Sequence, residues 1–224
     1  MTDTPGRMRL RPAASDGYTN TATHMQALKH AAATQVFVLS GCVAAAWSVE
    51  LVDRVAYGGS LERFGIHPRD VAALWGILAA PLLHVGWVHL VANTGPFVVL
   101  GWLVMLRKIS DFLVVTALAI VIGGLGVWLF GAPNSIHVGA SGLIFGYLGY
   151  LLARGYFERS FWAMVLGIAA LLLYGGVLWG VLPGQSGISW EGHLFGFVGG
   201  VAAARLLVSS RPRERSVPMR RAAG

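Results

Sequence analysis

Val138-Gly139-Ala140-Ser141-Gly142-Leu143-Ile144-Phe145-Gly146 sets a serine among small residues at the head of an apolar run. The run from Val138 to Ala153 holds about 16 residues, so it rises about 24 Å against a hydrocarbon core of about 30 Å. It is short for a span, which places Ser141 below the membrane surface under a dipping Asn134–His137 loop. There the unpaired N–H groups and positive dipole of a helix start favour a developing anion. Gly139 and Gly142 leave room for a substrate backbone. Two readings of the serine stand at this point: a helix cap or packing residue, and a nucleophile.

The rest of the chain puts that run in a membrane. The 224 residues are 55% hydrophobic and 12% charged, where soluble domains average about 25% charged. Apolar runs lie near Ala31–Leu51, Val88–Leu106, Phe112–Phe130, Val138–Ala153, Phe161–Leu182 and Gly192–Val208. The expected fold is therefore an all-α polytopic bundle of six spans. Residues 1–30 read as a disordered arm without a cleavable signal, 31–208 as the six-span domain, and 209–224 as a basic tail. Fourteen of the 17 basic residues fall on one side of these spans, so both termini are expected in the cytoplasm of a plasma-membrane protein. The tail reads as a topology determinant on anionic lipid rather than a nucleic-acid site. The Glu50–Trp87 loop turns apolar at Val71–Leu83 below spanning length and reads as partly embedded in the membrane. The lone Cys42 excludes an internal disulfide framework.

Polar groups inside spans are costly and point to function. With Gln35 and Arg205 set aside near span ends, the strong candidates are His89, Asn93, Ser141 and His193. Gly196 and Gly200 follow His193 at i+3 and i+7, on its own helical face. Packed on the Gly142/Gly146/Gly149 face of the serine run, that face brings His193 within reach of Ser141. Histidine is the usual base for a serine nucleophile. Apart from Glu50 at the outer end of the first run, carboxylates are absent from the spans, and Glu191 reads as a solvated loop charge, so the expectation is a Ser-His dyad without a third acid. Phe145, one turn beyond Ser141, packs on its own helix or against the imidazole. His89 and Asn93 share a face at i, i+4, and with the Ser141 N–H they can form an oxyanion hole or simply hold helices together. His84 and His137 read as loop residues. The pattern offers no zinc-protease motif, and no metal or cofactor is expected. A bis-His haem on His89 and His193 is a competing reading.

These residues resemble the rhomboid family of intramembrane serine proteases in three ordered motifs: His84-x4-His89-Leu90-x2-Asn93 with Gly101 beyond it, Gly139-Ala140-Ser141-Gly142, and Gly192-His193-x2-Gly196-x3-Gly200. The likeness covers about Ala31 to Val208. It implies Ser141 as nucleophile, His193 as base, and His89, Asn93 and the Ser141 N–H as oxyanion hole. It implies substrates that are transmembrane helices of other proteins; oligomeric state is not implied. A non-catalytic rhomboid-like binder is the alternative within this resemblance, although both Ser141 and His193 are kept. The chain departs from the family pattern at Gly76, where an arginine often follows the tryptophan, at Phe145 for tyrosine, at Gly192 for alanine, at Met105 for glutamate, and at Pro96, one turn below Asn93.

Overall fold

The computed structural model describes residues 16–184 and 187–210; the expectations for residues 1–15 and for the tail beyond residue 210 lie outside them. Among the described residues the architecture is all-helical, as expected, apart from an isolated antiparallel bridge between Ile66 and His137. Helix α1 runs Asp16–Val52, a short α2 covers Gly76–Ala79, and α3 spans Gly86–Met105. Then follow α4 (Ile109–Phe130), α5 (Ser141–Glu158), α6 (Phe161–Tyr174) and α7 (Trp190–Ser209). Four of these are long and apolar enough to cross a membrane: α1, α3, α4 and α7. The protein is a multi-pass membrane protein.

Three boundaries differ from the sequence reading. Helix α1 begins at Asp16, inside the stretch read as a disordered arm. Residues 16–30 lack Pro and Gly beyond Gly17, so nothing interrupts helix propagating back from the apolar run. The serine helix starts at Ser141 rather than Val138, because Gly139 sits at φ +113°, a conformation that ends regular structure and suits glycine. The run read as one span to Leu182 stops at Tyr174, and a 3-10 helix follows over Gly175–Val181. The Gly175-Gly176 pair weakens helix propagation at that point.

Helix α5 is the centre of the bundle. Phe145, Tyr147, Leu148 and Tyr150 are essentially sequestered there, with Leu100, Val104 and Met105 of α3 and Val115 of α4 around them. Against α7 the contact is backbone on backbone. A Cβ on Gly196 would strike the Gly142 carbonyl, and one on Gly200 the Gly146 carbonyl. Small residues allow this approach, and close van der Waals contact then drives association where lipid removes the hydrophobic drive. The other end of α5 is tied by charge. Asp111 of α4, 2% exposed, accepts from the Tyr150 hydroxyl at 3.1 Å and pairs with Arg107 at 3.0 Å. Arg154 pairs with Glu158 at 2.9 Å beside it. Met105, which stands where the family pattern often has an acid, is buried among apolar side chains while its carbonyl accepts from Gln35.

The loop between α1 and α3 is held at both ends. Arg54 pairs with the buried Glu50 at 2.8 Å. Arg69 donates to the Leu129 and Gly131 carbonyls at 3.1 and 2.9 Å, covering the end of α4. Gly76 lies so close to Gly65 that any side chain would meet its carbonyl. The arginine missing at position 76 has no room here, and Arg69 anchors the loop from another position. Ile66, Ile77, Ala80 and Leu83 point inward, while Val71, Trp75 and Leu78 are left exposed.

Candidate active site

The glycine seam sets the distance between two side chains. Ser141 occupies the first position of α5, and His193 lies in the first turn of α7. With the helices in backbone contact, Ser141 Oγ and His193 Nε2 stand 2.8 Å apart. His193 Nδ1 lies 2.9 Å from the Gly180 carbonyl oxygen. A carbonyl only accepts, so Nδ1 carries the proton and Nε2 keeps the lone pair that receives the Ser141 hydroxyl proton. Both ring nitrogens are thus engaged. Sequence reasoning missed Gly180. Its signal was a glycine in the Leu178-Trp179-Gly180-Val181 stretch, where a Cβ would lie 2.7 Å from His193 Nδ1. The early end of α6 is what turns that carbonyl toward the imidazole.

Phe145 stacks on His193, with ring centroids 4.2 Å apart and planes within 12°. It is fully buried, so the imidazole is held between a ring face and a carbonyl. Gly139 sits against the His89 ring: a Cβ there would lie 2.7 Å from His89 Cε1 and 2.9 Å from Nε2. The Val85 N–H donates to His89 Nδ1 at 3.4 Å, which leaves the Nε2 proton pointing at the Gly139 side. Asn93 is buried and donates one amide proton to its own helix, at the His89 carbonyl, at 2.9 Å. It lines the cavity behind Ala140 rather than the cleft in front of Ser141. Pro96 lies within α3 without ending it. Gly142, Gly192, His137 and Ser189 line the Ser141 cleft.

Glu191 corrects an expectation. It is 5% exposed, not solvated, because α7 starts at Trp190 and places the carboxylate in the first turn, where the dipole favours an anion. His137 also does more than fill a loop. Ser135 donates to the Ala132 carbonyl at 2.6 Å, so it accepts from His137 Nε2 at 2.7 Å. His137 Nδ1 then accepts from Ser189 Oγ at 2.6 Å, and Ser189 caps α7 by accepting from Gly192 N at 3.2 Å. Every member is satisfied by a neutral imidazole. Burial pushes the His137 pKa below the ordinary histidine value, and Glu191 opposes it. His84 is 2% exposed and stands edge-on to His89 at 5.2 Å. Burial first, then the nearby His89, lowers it to about 4.

Comparison with known proteins gives the family. Residues 71–210 match the model of the rhomboid domain. An uncharacterized protein of Mycobacterium tuberculosis is 47% identical over 188 residues, 80% of this chain and 77% of its own. The rhomboid protease GluP of Bacillus subtilis is 31% identical over 155 residues, 66% of this chain and 29% of its own. Rhomboid-like protease 5 of Toxoplasma gondii is 31% identical over 141 residues, 59% of this chain and 16% of its own. This chain belongs to the rhomboid family.

Proposed function

We propose that this protein is an intramembrane serine endopeptidase that cuts transmembrane segments of other membrane proteins through a Ser141–His193 dyad. The observation that carries the reading is the 2.8 Å Ser141 Oγ–His193 Nε2 contact with Nδ1 committed to the Gly180 carbonyl. His193 takes the hydroxyl proton as Ser141 attacks the scissile carbonyl. The oxyanion meets the Ser141 N–H at the start of α5 and the His89 Nε2 proton, while Asn93 stands behind Ala140 and reaches the oxyanion only if its side chain turns from that cavity. Such donors are worth about 10²–10³ in rate each. His193 then gives its proton to the leaving amine, and water releases the acyl group from Ser141. The imidazolium formed on the way is held by Gly180 rather than by an acid.

A helical substrate hides its carbonyls in its own hydrogen bonds, so the cut segment unwinds first; Gly or Pro near the cut eases this. Six spans, with α5 and α6 as the shorter ones, put both termini in the cytoplasm of a plasma-membrane protein. The exposed Val71, Trp75 and Leu78 side of the first loop then lies in the outer leaflet.

The test is incubation of detergent-purified protein with a single-span model substrate. Wild type cleaves it and reacts with a serine-directed fluorophosphonate; Ser141→Ala and His193→Ala do neither. Equal cleavage by all three proteins sinks the proposal. Capture of the substrate without cleavage by wild type favours a non-catalytic binder instead.

A further inference from the structure

A second cavity lies on the far side of Ala140 from the Ser141 cleft. It measures about 450 Å³ and opens between α1 and α4. On α1 its wall is thin, because Gly41 and Ala45 stand one turn apart there. Its apolar lining runs from the buried Phe97 to Leu113, which is exposed. Its polar side chains are His84 and Asn93 beneath the first loop, and Thr94 and Thr116, whose hydroxyls are already bonded to the Leu90 carbonyl at 2.8 Å and the Tyr147 hydroxyl at 2.9 Å. His84 is 2% exposed, and apart from a weak contact with the Leu82 backbone its ring nitrogens make no well-formed hydrogen bond among the described residues. Buried polar atoms are normally satisfied, so a ligand atom belongs opposite that ring.

The chemistry of the walls narrows the ligand. Among the described residues the lining contains no lysine or arginine, so a phosphate or carboxylate head would be buried without a counter-charge, at high cost. A neutral acceptor beside an apolar chain fits. The helix forming one side of the mouth, α1, has only 11% of its spanning window buried, so the mouth faces whatever surrounds the protein. In a bilayer that is lipid, with its ester groups at the level of the loop and its chains running inward past the helices. We propose that this cavity is a lipid site that takes one acyl chain of a bilayer phospholipid, with its ester carbonyl accepting a hydrogen bond from the His84 ring. Asn93 and Ala140 form part of the wall, so the bound chain supports the back of the reaction centre. That last link rests on the function proposed above; binding itself does not.

The experiment uses the full chain in nanodiscs of phosphatidylcholine doped with a phospholipid bearing a diazirine on one chain. After irradiation, adducts are mapped by peptide mass spectrometry against those on Leu172, which is 81% exposed on α6 and serves as the bulk-lipid standard. Adducts concentrate on residues 41–47 above that standard. In Gly41→Phe, which fills the cavity, they fall to it. In Gly41→Ala, whose Cβ meets nothing within 4 Å, they stay high. Replacing ester by ether linkage lowers wild-type labelling about 2- to 10-fold, the worth of one hydrogen bond, and His84→Leu erases that difference. Labelling of residues 41–47 no greater than at Leu172, or unchanged in Gly41→Phe, overturns the site. Equal labelling by ester and ether lipids in wild type overturns the His84 contact. Loss of cleavage in Ser141→Ala with labelling intact separates the two proposals, since the lipid readout does not pass through catalysis.

Discussion

The Phe145 and His193 rings are stacked at 4.2 Å, within 12° of parallel. The stack restrains the imidazole on one face, while Gly180 fixes its far nitrogen at 2.9 Å. Neither contact needs an ionised partner, which suits a site walled by glycine and apolar side chains. An aromatic pair of this kind is worth about 0.5–1.5 kcal/mol beyond its buried area. Phe145→Leu is therefore expected to slow fluorophosphonate labelling of Ser141 by about 2- to 10-fold. The check is the labelling rate against thermal stability. A rate unchanged in a folded variant argues that the ring only fills space.

Gly180→Ala tests the carbonyl clamp. The new methyl would sit 2.7 Å from His193 Nδ1, so the imidazole must turn and the Nε2–Oγ contact is lost. Labelling is expected to drop by about 10-fold or more, each factor of ten being about 1.4 kcal/mol. The residue lies at the end of a 3-10 segment, and Tm is expected to move little.

Gly200→Ala behaves differently, because its methyl would collide with the Gly146 carbonyl and force α5 from α7. Overpacking of this kind costs about 1–3 kcal/mol, and the dyad opens as well. Tm and labelling should fall together. Gly95→Ala, which meets open space within α3, gains about 0.5–1 kcal/mol from the same change and serves as the control.

Asp111→Ala removes one partner of a buried cluster that includes Arg107 and Tyr150. Breaking such a pair costs about 3–5 kcal/mol. The cluster lies at the opposite end of α5 from Ser141. Denaturation in detergent should therefore occur at much lower temperature, while folded molecules label at the wild-type rate.

His137 and His84 make stability depend on pH. Burial holds both below the ordinary histidine pKa, His84 at about 4. The folded protein thus keeps them neutral while the unfolded chain takes up protons below about 6.5. Their contribution is complete above that value and is lost as pH falls through the folded pKa values. Tm in detergent should be flat from about pH 7 to 8 and decline below about 6.5. His137→Gln should reduce the slope. A Tm that rises toward pH 5 contradicts the assignment.

Much of this arrangement is legible in the chain itself. Composition and run lengths specify a helical membrane protein, because the bilayer admits few other ways to satisfy a backbone. Gly142 and Gly146, with Gly196 and Gly200, mark the faces that meet, since only residues without side chains let one main chain rest directly on another. Ser141 and His193 follow from that seam. Four features follow from tertiary packing that the periodic pattern does not encode: the Gly180 carbonyl on His193, the Ser135–His137–Ser189 chain, the burial of Glu191, and Arg69 anchoring the loop. Each depends on where an irregular segment stops, and a backbone carbonyl carries no residue-specific signal. The sequence alone marked the two glycine faces that pack and the two side chains that meet across them. The tertiary structure decided how the histidine is oriented, because that depends on a main-chain oxygen delivered by the early end of a helix.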